Sequence, residues 1–325
     1  MEVISIVLLL LLAVILSGIL SRMLPLPLPR PLFQIGLGAL IGLAADWRVT
    51  LDPEIFFLLF LPPLLFLDGW RIPKQGLFRD KGIILELALG LVVFTVLGLG
   101  YFVHWMIPTM PLAVAFALAA IISPTDPIAV SAIADRVPIP KRLLHILEGE
   151  SLLNDASGLV CMRFAVAAAL TGAFSITGAV LTFLWLATAG IASGIAVTWS
   201  VSWLKNWISR HFGEETGSQI LVSLLIPFVA YMLAEEIGGS GILAAVAAGI
   251  TMSYAEQSGQ ALPITRVRRV AVWDMVQFSA NGVIFVLLGE QLPQIARRAA
   301  TVMEDIGHQH WAWLIAYVLA VNLAL

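Results

Sequence analysis

The sequence predicts an all-α polytopic membrane protein, on three observations: its composition, its succession of apolar segments, and the loops that carry its basic residues. The chain is 60% hydrophobic and 12% charged over 325 residues, with a mean hydropathy of +0.96. Soluble domains lie near about 45–50% apolar and 25% charged, so a surface of this kind needs lipid as its solvent. A net charge of -3 with scattered basic residues leaves no footprint for nucleic acid. The lone cysteine, Cys161, permits no internal disulfide.

Eleven apolar segments follow one another. Residues 3–20 form a first membrane helix, too long and evenly apolar for a signal peptide and followed by no A-x-A-like cleavage site. Pro25, Pro27, Pro29 and Pro31 make a stiff turn into segment 2, residues 32–46. Segment 3, residues 55–69, carries Pro62-Pro63, where a kink is expected. Segments 4 to 8 span 82–107, 111–134, 143–170, 177–203 and 218–237, and segments 9 to 11 span 240–255, 270–290 and 311–325. A straight span takes about 17–25 residues, so segments 2, 3, 9 and 11 are short. Segments 2 and 9 are rich in glycine and other small residues, which suits close helix contacts. Segment 11 stops at Leu325 in mid-helix, so the sequence reads as a fragment. No Gly/Ser linker or low-complexity tract divides it.

The basic residues set an expected orientation. Arg22, Arg30, Arg71, Lys74, Arg79, Lys81, Arg136, Lys141, Arg142, Lys205, Arg210, Arg266, Arg268 and Arg269 all fall in odd-numbered loops. Even-numbered loops hold only Arg48, Arg297 and Arg298, while Arg163 lies within segment 6. The positive-inside rule then puts the odd loops in the cytoplasm and the N-terminus outside the cell (inner) membrane. Trp47, Trp70, Trp105, Trp203, Trp207 and Trp311 fall near segment ends, as interface anchors do.

Two segments carry the chemistry. Segment 5 contains Ser123-Pro124-Thr125-Asp126-Pro127, and its two prolines forbid an unbroken helix. Non-helical backbone at membrane depth survives only where it lines a site or cavity, and secondary transporters build ion sites from such breaks. Thr125 offers a hydroxyl, Asp126 a carboxylate, and the break frees backbone carbonyls. Asp126 is either an ion ligand or a helix cap. Segment 6 contains Glu148-Gly149-Glu150-Ser151-Leu152-Leu153-Asn154-Asp155-Ala156-Ser157-Gly158. Ser151 and Asp155 lie one turn apart on one helix face, and Gly158 leaves room for another helix. A hard cation such as sodium takes several oxygen ligands, which Asp155, Ser151, Thr125 and a freed carbonyl would supply. Burial makes a carboxylate hold its proton more tightly, so proton and cation would compete at Asp155. Asn154 cannot ionise, which leaves one titrating group and predicts electroneutral exchange.

Ser-Pro-Thr-Asp-Pro followed by Glu-Gly-Glu-Ser-Leu-Leu-Asn-Asp resembles the bacterial sodium/proton exchanger branch of the monovalent cation:proton antiporters. Leu61-Pro62-Pro63-Leu64-Leu65-Phe66, Ser240-Gly241-Ile242-Leu243-Ala244 and Asn281-Gly282-Val283-Ile284-Phe285 with Leu288-Gly289 match in the same order. The resemblance implies thirteen helices in two inverted repeats with crossed broken helices. It also implies a homodimer, with panel helices at about 1–69 and 218–290 and core helices at about 82–170. Asp155 would be the ion- and proton-binding carboxylate, with Asn154, Ser151, Thr125 and Asp126 around it, and Glu150 a member of a structural ion pair. The chain departs from the family in having Leu67 where members often carry an acid, with Asp68 one later, and in lacking the Gly-x-Arg-Gly-Ala motif. Most of helix 11 and all of helices 12 and 13 are then expected to be missing.

The resulting expectation is a secondary transporter, not an enzyme, that exchanges sodium for protons by alternating access in contact with membrane lipid. It needs no cofactor beyond the transported ions. Potassium or lithium in place of sodium is an open alternative. Asp68 and Glu148 are candidates for a cytoplasmic funnel. Arg163 either pairs within the core or reaches the outer surface, while Glu86, Glu235, Glu236 and Asp274 lie near segment ends. His308 and His310 have no third ligand nearby, which argues against a metal site. An intramembrane aspartyl protease using Asp126 and Asp155 lacks the glycine-flanked context of that chemistry. A passive cation channel would need a continuous polar pore, whereas these acids gather at one depth.

Overall fold

The computed structural model describes residues 2–24, 28–44, 53–125, 140–172, 176–213, 215–257, 263–305 and 311–325. Among these residues the chain is helical, without strands. The helices are α1 Glu2–Met23, α2 Arg30–Ala44, α3 Pro53–Arg71, α4 Lys74–Arg79, α5 Lys81–Leu85, α6 Val92–Met106 and α7 Leu112–Ile122. They continue as α8 Lys141–Thr171, α9 Ile176–Phe212, α10 Thr216–Glu236, α11 Gly241–Gln257, α12 Pro263–Asp305 and α13 Trp311–Ala324. A π-helical turn, Glu86–Leu91, joins α5 to α6.

Among the described residues, six stretches are long and apolar enough to cross a membrane: Ile4–Met23, Lys81–Met106, Lys141–Thr171, Val180–Phe212, Thr216–Glu236 and Pro263–Ala299. The expected all-α polytopic fold is what the chain adopts. Three details differ from the sequence expectation. Helix α4 is six residues of mostly polar sequence, which no hydropathy criterion detects. Helix α12 continues past 290 through Gln291, Arg297 and Arg298, good helix formers that are too polar to extend an apolar segment. It also begins at Pro263, so Arg269 belongs to a helix rather than a loop.

The chain forms two compact units. The first comprises residues 1–56 and 271–322. Its core joins Leu10, Ala13 and Val14 of α1 to Val286 and Leu287 of α12. Helix α2 crosses α12 at backbone distance: a Cβ on Gly38 would overlap the Val286 carbonyl, and one on Gly289 would overlap that of Ile35.

The second unit comprises residues 57–270 and 323–325. At its centre lies α11, buried at every residue from Gly241 to Gly249. Its run of Gly and Ala makes it thin enough for backbones to touch on two sides. Gly249 meets Phe66 of α3, and Gly194 of α9 meets the Ala244 carbonyl. Such small-residue seams let dispersion hold helices together where lipid removes the hydrophobic drive. The turn into α11 uses Gly238 at φ +70°, and Ser240 Oγ accepts the Leu243 N–H at 3.3 Å as an N-cap. Leu152 of α8 packs into the same core as Leu65, Ile242 and Val246, which anchors the helix that carries the acidic motif.

Candidate functional site

Helix α7 stops at Ile122, and Ser123 closes it with its N–H on the Ala119 carbonyl. Pro124 and Thr125 then continue without helical structure. The helix ends just before Pro124, which has no N–H to continue it; Pro127 lies outside the described residues. Helix α8 lies directly against this break, because Gly158 leaves no side chain there. A Cβ at Gly158 would come within 2.5 Å of Pro124 Cγ and 2.9 Å of the Ala120 carbonyl oxygen.

One turn earlier, α8 presents two pairs of residues spaced by four: Glu150 with Asn154, and Ser151 with Asp155. The first pair meets Thr125. Asn154 Nδ2 donates to Glu150 Oε1 at 2.6 Å and to Thr125 Oγ1 at 3.0 Å, and Thr125 Oγ1 donates to Glu150 Oε2 at 3.1 Å. Ser151 Oγ donates to the Thr125 carbonyl at 3.0 Å. Four of the expected residues are thus brought together at the break.

Asn154 is fully buried, Glu150 is 5% exposed, and Asn154 Oδ1 has no hydrogen-bond partner among the described residues. Turning the amide over would set Oδ1 against the Glu150 carboxylate, so the orientation is decided by Glu150 being an acceptor. An orphan buried acceptor costs about 1–3 kcal/mol. A neutral oxygen of this kind is also what a hard monovalent cation coordinates.

The other expected residues are placed differently. Asp155 follows Asn154 directly and is exposed. Asp126 lies outside the described residues, as do His308 and His310. Asp68 is exposed near the end of α3. Glu148 faces His145 at 3.6 Å on the first turns of α8. Among the described residues, the groups that meet the Glu150 carboxylate are the Thr125 hydroxyl and the Asn154 amide.

Several polar contacts have partners that the sequence reading did not name. Arg163 lies 3.8 Å from Glu235 of α10, whose other oxygen accepts the Gly241 N–H at 3.0 Å. Arg269 is 1% exposed and pairs with Glu256, which also accepts the Trp70 indole N–H at 2.8 Å. Their partners are 72 and 13 residues away along the chain, and no local pattern announces them.

The transmembrane sodium/hydrogen exchanger family model matches residues 7–325. A sodium, potassium, lithium and rubidium/H(+) antiporter of Bacillus pumilus (strain SAFR-032) is 42% identical over 296 residues, 90% of this chain and 44% of that protein. The uncharacterized Na(+)/H(+) exchanger YjcE of Escherichia coli (strain K12) is 44% identical over 297 residues, 90% of this chain and 54% of that one. The chain therefore spans about half the length of these relatives. The solved sodium proton antiporter MjNhaP1 of Methanocaldococcus jannaschii superposes with a TM-score of 0.66 at 20% identity, over 89% of this chain and 71% of that one, a likeness of fold.

Proposed function

The chain belongs to the transmembrane sodium/hydrogen exchanger family, and from that premise we propose that it exchanges a monovalent cation, sodium first, for a proton by alternating access. The observation that carries the reading is the α7 break seated on α8. The exposed Thr125 oxygens and the buried side chains of Asn154 and Glu150, with Ser151 beside them, converge one residue from Asp155. Asp155 takes either the proton or the cation. Thr125, Asn154 and Ser151 supply neutral oxygens, Asp126 serves as a further ligand or as a cap, and Glu150 holds the break in place. Glu150, expected in an ion pair, meets a hydroxyl and an amide among the described residues.

Because Asn154 does not ionise, one proton balances one cation and the exchange is electroneutral. The same reading puts the loops that carry 14 of the 18 basic residues in the cytoplasm and the N-terminus outside. It makes Asp68 and Glu148 a funnel and pairs two copies through the panel helices. A broader choice of cation has its own support, since the B. pumilus relative is named for sodium, potassium, lithium and rubidium.

Proton flux driven in turn by each of these four cations in proteoliposomes tests the reading. Asp155→Asn should abolish the flux for every cation while the protein still inserts and folds; retained flux would remove Asp155 from its role. Flux that rises steeply with an imposed membrane potential would overturn the one-for-one stoichiometry.

A further inference from the structure

We propose that the cavity between α4 and the start of α8 binds a phosphate group, presented by the headgroup of an anionic lipid. The cavity measures about 440 Å³ and is lined by Gln75, Gly76, Arg79, Lys141, Arg142 and His145, among others. Two acids pair with its lining residues: Asp80 accepts from Arg142 Nη2 at 2.8 Å and from Arg79 Nη2 at 3.2 Å, and Glu148 lies 3.6 Å from His145. Those two arginine side chains nonetheless remain 60% and 65% exposed. Asp80 thus fixes both guanidinium groups while leaving further N–H donors facing outward.

Arg79, Arg142 and Lys141 set against Asp80 and the Glu148 that faces His145 leave a balance of +1 at the cavity with His145 neutral. An excess of cations favours an anionic ligand over a cation. Two planar forks and an ammonium, held in place beforehand, suit the oxygens of a phosphate ester. Lipid is favoured over soluble phosphate by position. Asp80 immediately precedes the candidate span Lys81–Met106, and Lys141 opens the span Lys141–Thr171. The cavity therefore sits where membrane helices begin, at headgroup depth. Basic pockets between helices on the cytoplasmic side hold anionic headgroups in this way; the assignment to that side rests on the orientation proposed above.

Native mass spectrometry of the protein with phosphatidylglycerol, and with phosphatidylcholine as control, measures the binding. Lys141→Gln should weaken phosphatidylglycerol retention about fivefold, the value of one cation at an anionic surface, without changing phosphatidylcholine. Gly76→Glu should do the same through added negative charge. A Cβ there meets His145 at 3.7 Å, an ordinary contact, and an unchanged melting temperature shows that the variant is folded. Equal retention by the parent and both variants overturns the site. Displacement of the lipid by millimolar inorganic phosphate overturns the lipid as the source while keeping the phosphate chemistry. Lipid retention needs no transport, so its loss and the loss of flux in Asp155→Asn report on separate claims.

Discussion

Asn154 joins the break to α8. Its amide spans two elements, donating to Glu150 Oε1 in its own helix and to Thr125 Oγ1 beyond the end of α7. Hydrogen bonds to a charged acceptor contribute about 1.5–3 kcal/mol, and a buried carboxylate that loses its donor costs more than an exposed one. Asn154→Leu should therefore lower the melting temperature in detergent clearly, by a destabilisation of about 2–3 kcal/mol. Ser151→Ala removes only an exposed bond to the Thr125 carbonyl and should cost about 1 kcal/mol or less. Thermal unfolding of the two variants side by side decides this; equal shifts would mean that Glu150 does not depend on the amide. The same contacts support the proposed role of Glu150, one turn before Asn154, as the anchor of the break.

At the scale of helices, glycines set how closely the elements approach. Gly158 brings α8 against Pro124 and the Ala120 carbonyl, whereas Gly98 of α6 has nothing within 4 Å of a built Cβ. Gly158→Ala should therefore push α7 and α8 apart, cost about 1–3 kcal/mol as overpacking does, and slow exchange. Gly98→Ala should be neutral or slightly stabilising, since alanine is the better helix former. Melting temperature and exchange rate measured on both variants check the pair; a harmless Gly158→Ala would show that the break yields easily. The Arg163–Glu235 contact between α8 and α10 is half-exposed at 3.8 Å. Such a pair contributes little statically, about 0–1 kcal/mol. Its interest lies in giving Arg163 a partner, the choice that the sequence left open.

At the scale of the whole molecule, Asp80 ties acid stability to the packing of α4 and α5 on α8. The hydrogen bond from Arg142 is the main cause that holds its carboxyl below the usual aspartate range; burial opposes it, and Arg79 adds to the lowering. A carboxyl depressed in the folded state contributes stability that is complete above its unfolded pKa of about 3.9 and is lost as pH falls through the folded value. Unfolding followed by intrinsic fluorescence should show a loss of stability that starts below about pH 4. Asp80→Asn should flatten that part of the profile. A variant with the parent's acid profile would show that other carboxylates dominate.

The sequence by itself determined the class of the protein, its succession of apolar helices and the position of the break. Each of these depends on local chemistry: apolar surface demands lipid, and Pro124 cannot donate a backbone hydrogen bond. It also placed Ser151 and Asp155 on one face, which follows from helical periodicity alone, and it marked α2 and α11 as helices of small residues made for close contact. The tertiary structure decided who meets whom. Thr125 and Glu150 are 25 residues apart, Arg163 and Glu235 pair across two helices, and Arg269, read as a loop cation, is buried against Glu256. Periodicity tells which face a side chain occupies, but the partner on that face is chosen by how two helices cross. Here α8 approaches α7 where Gly158 meets the Pro124 ring and the Ala120 carbonyl, and that approach puts the Asn154 amide between Thr125 and Glu150.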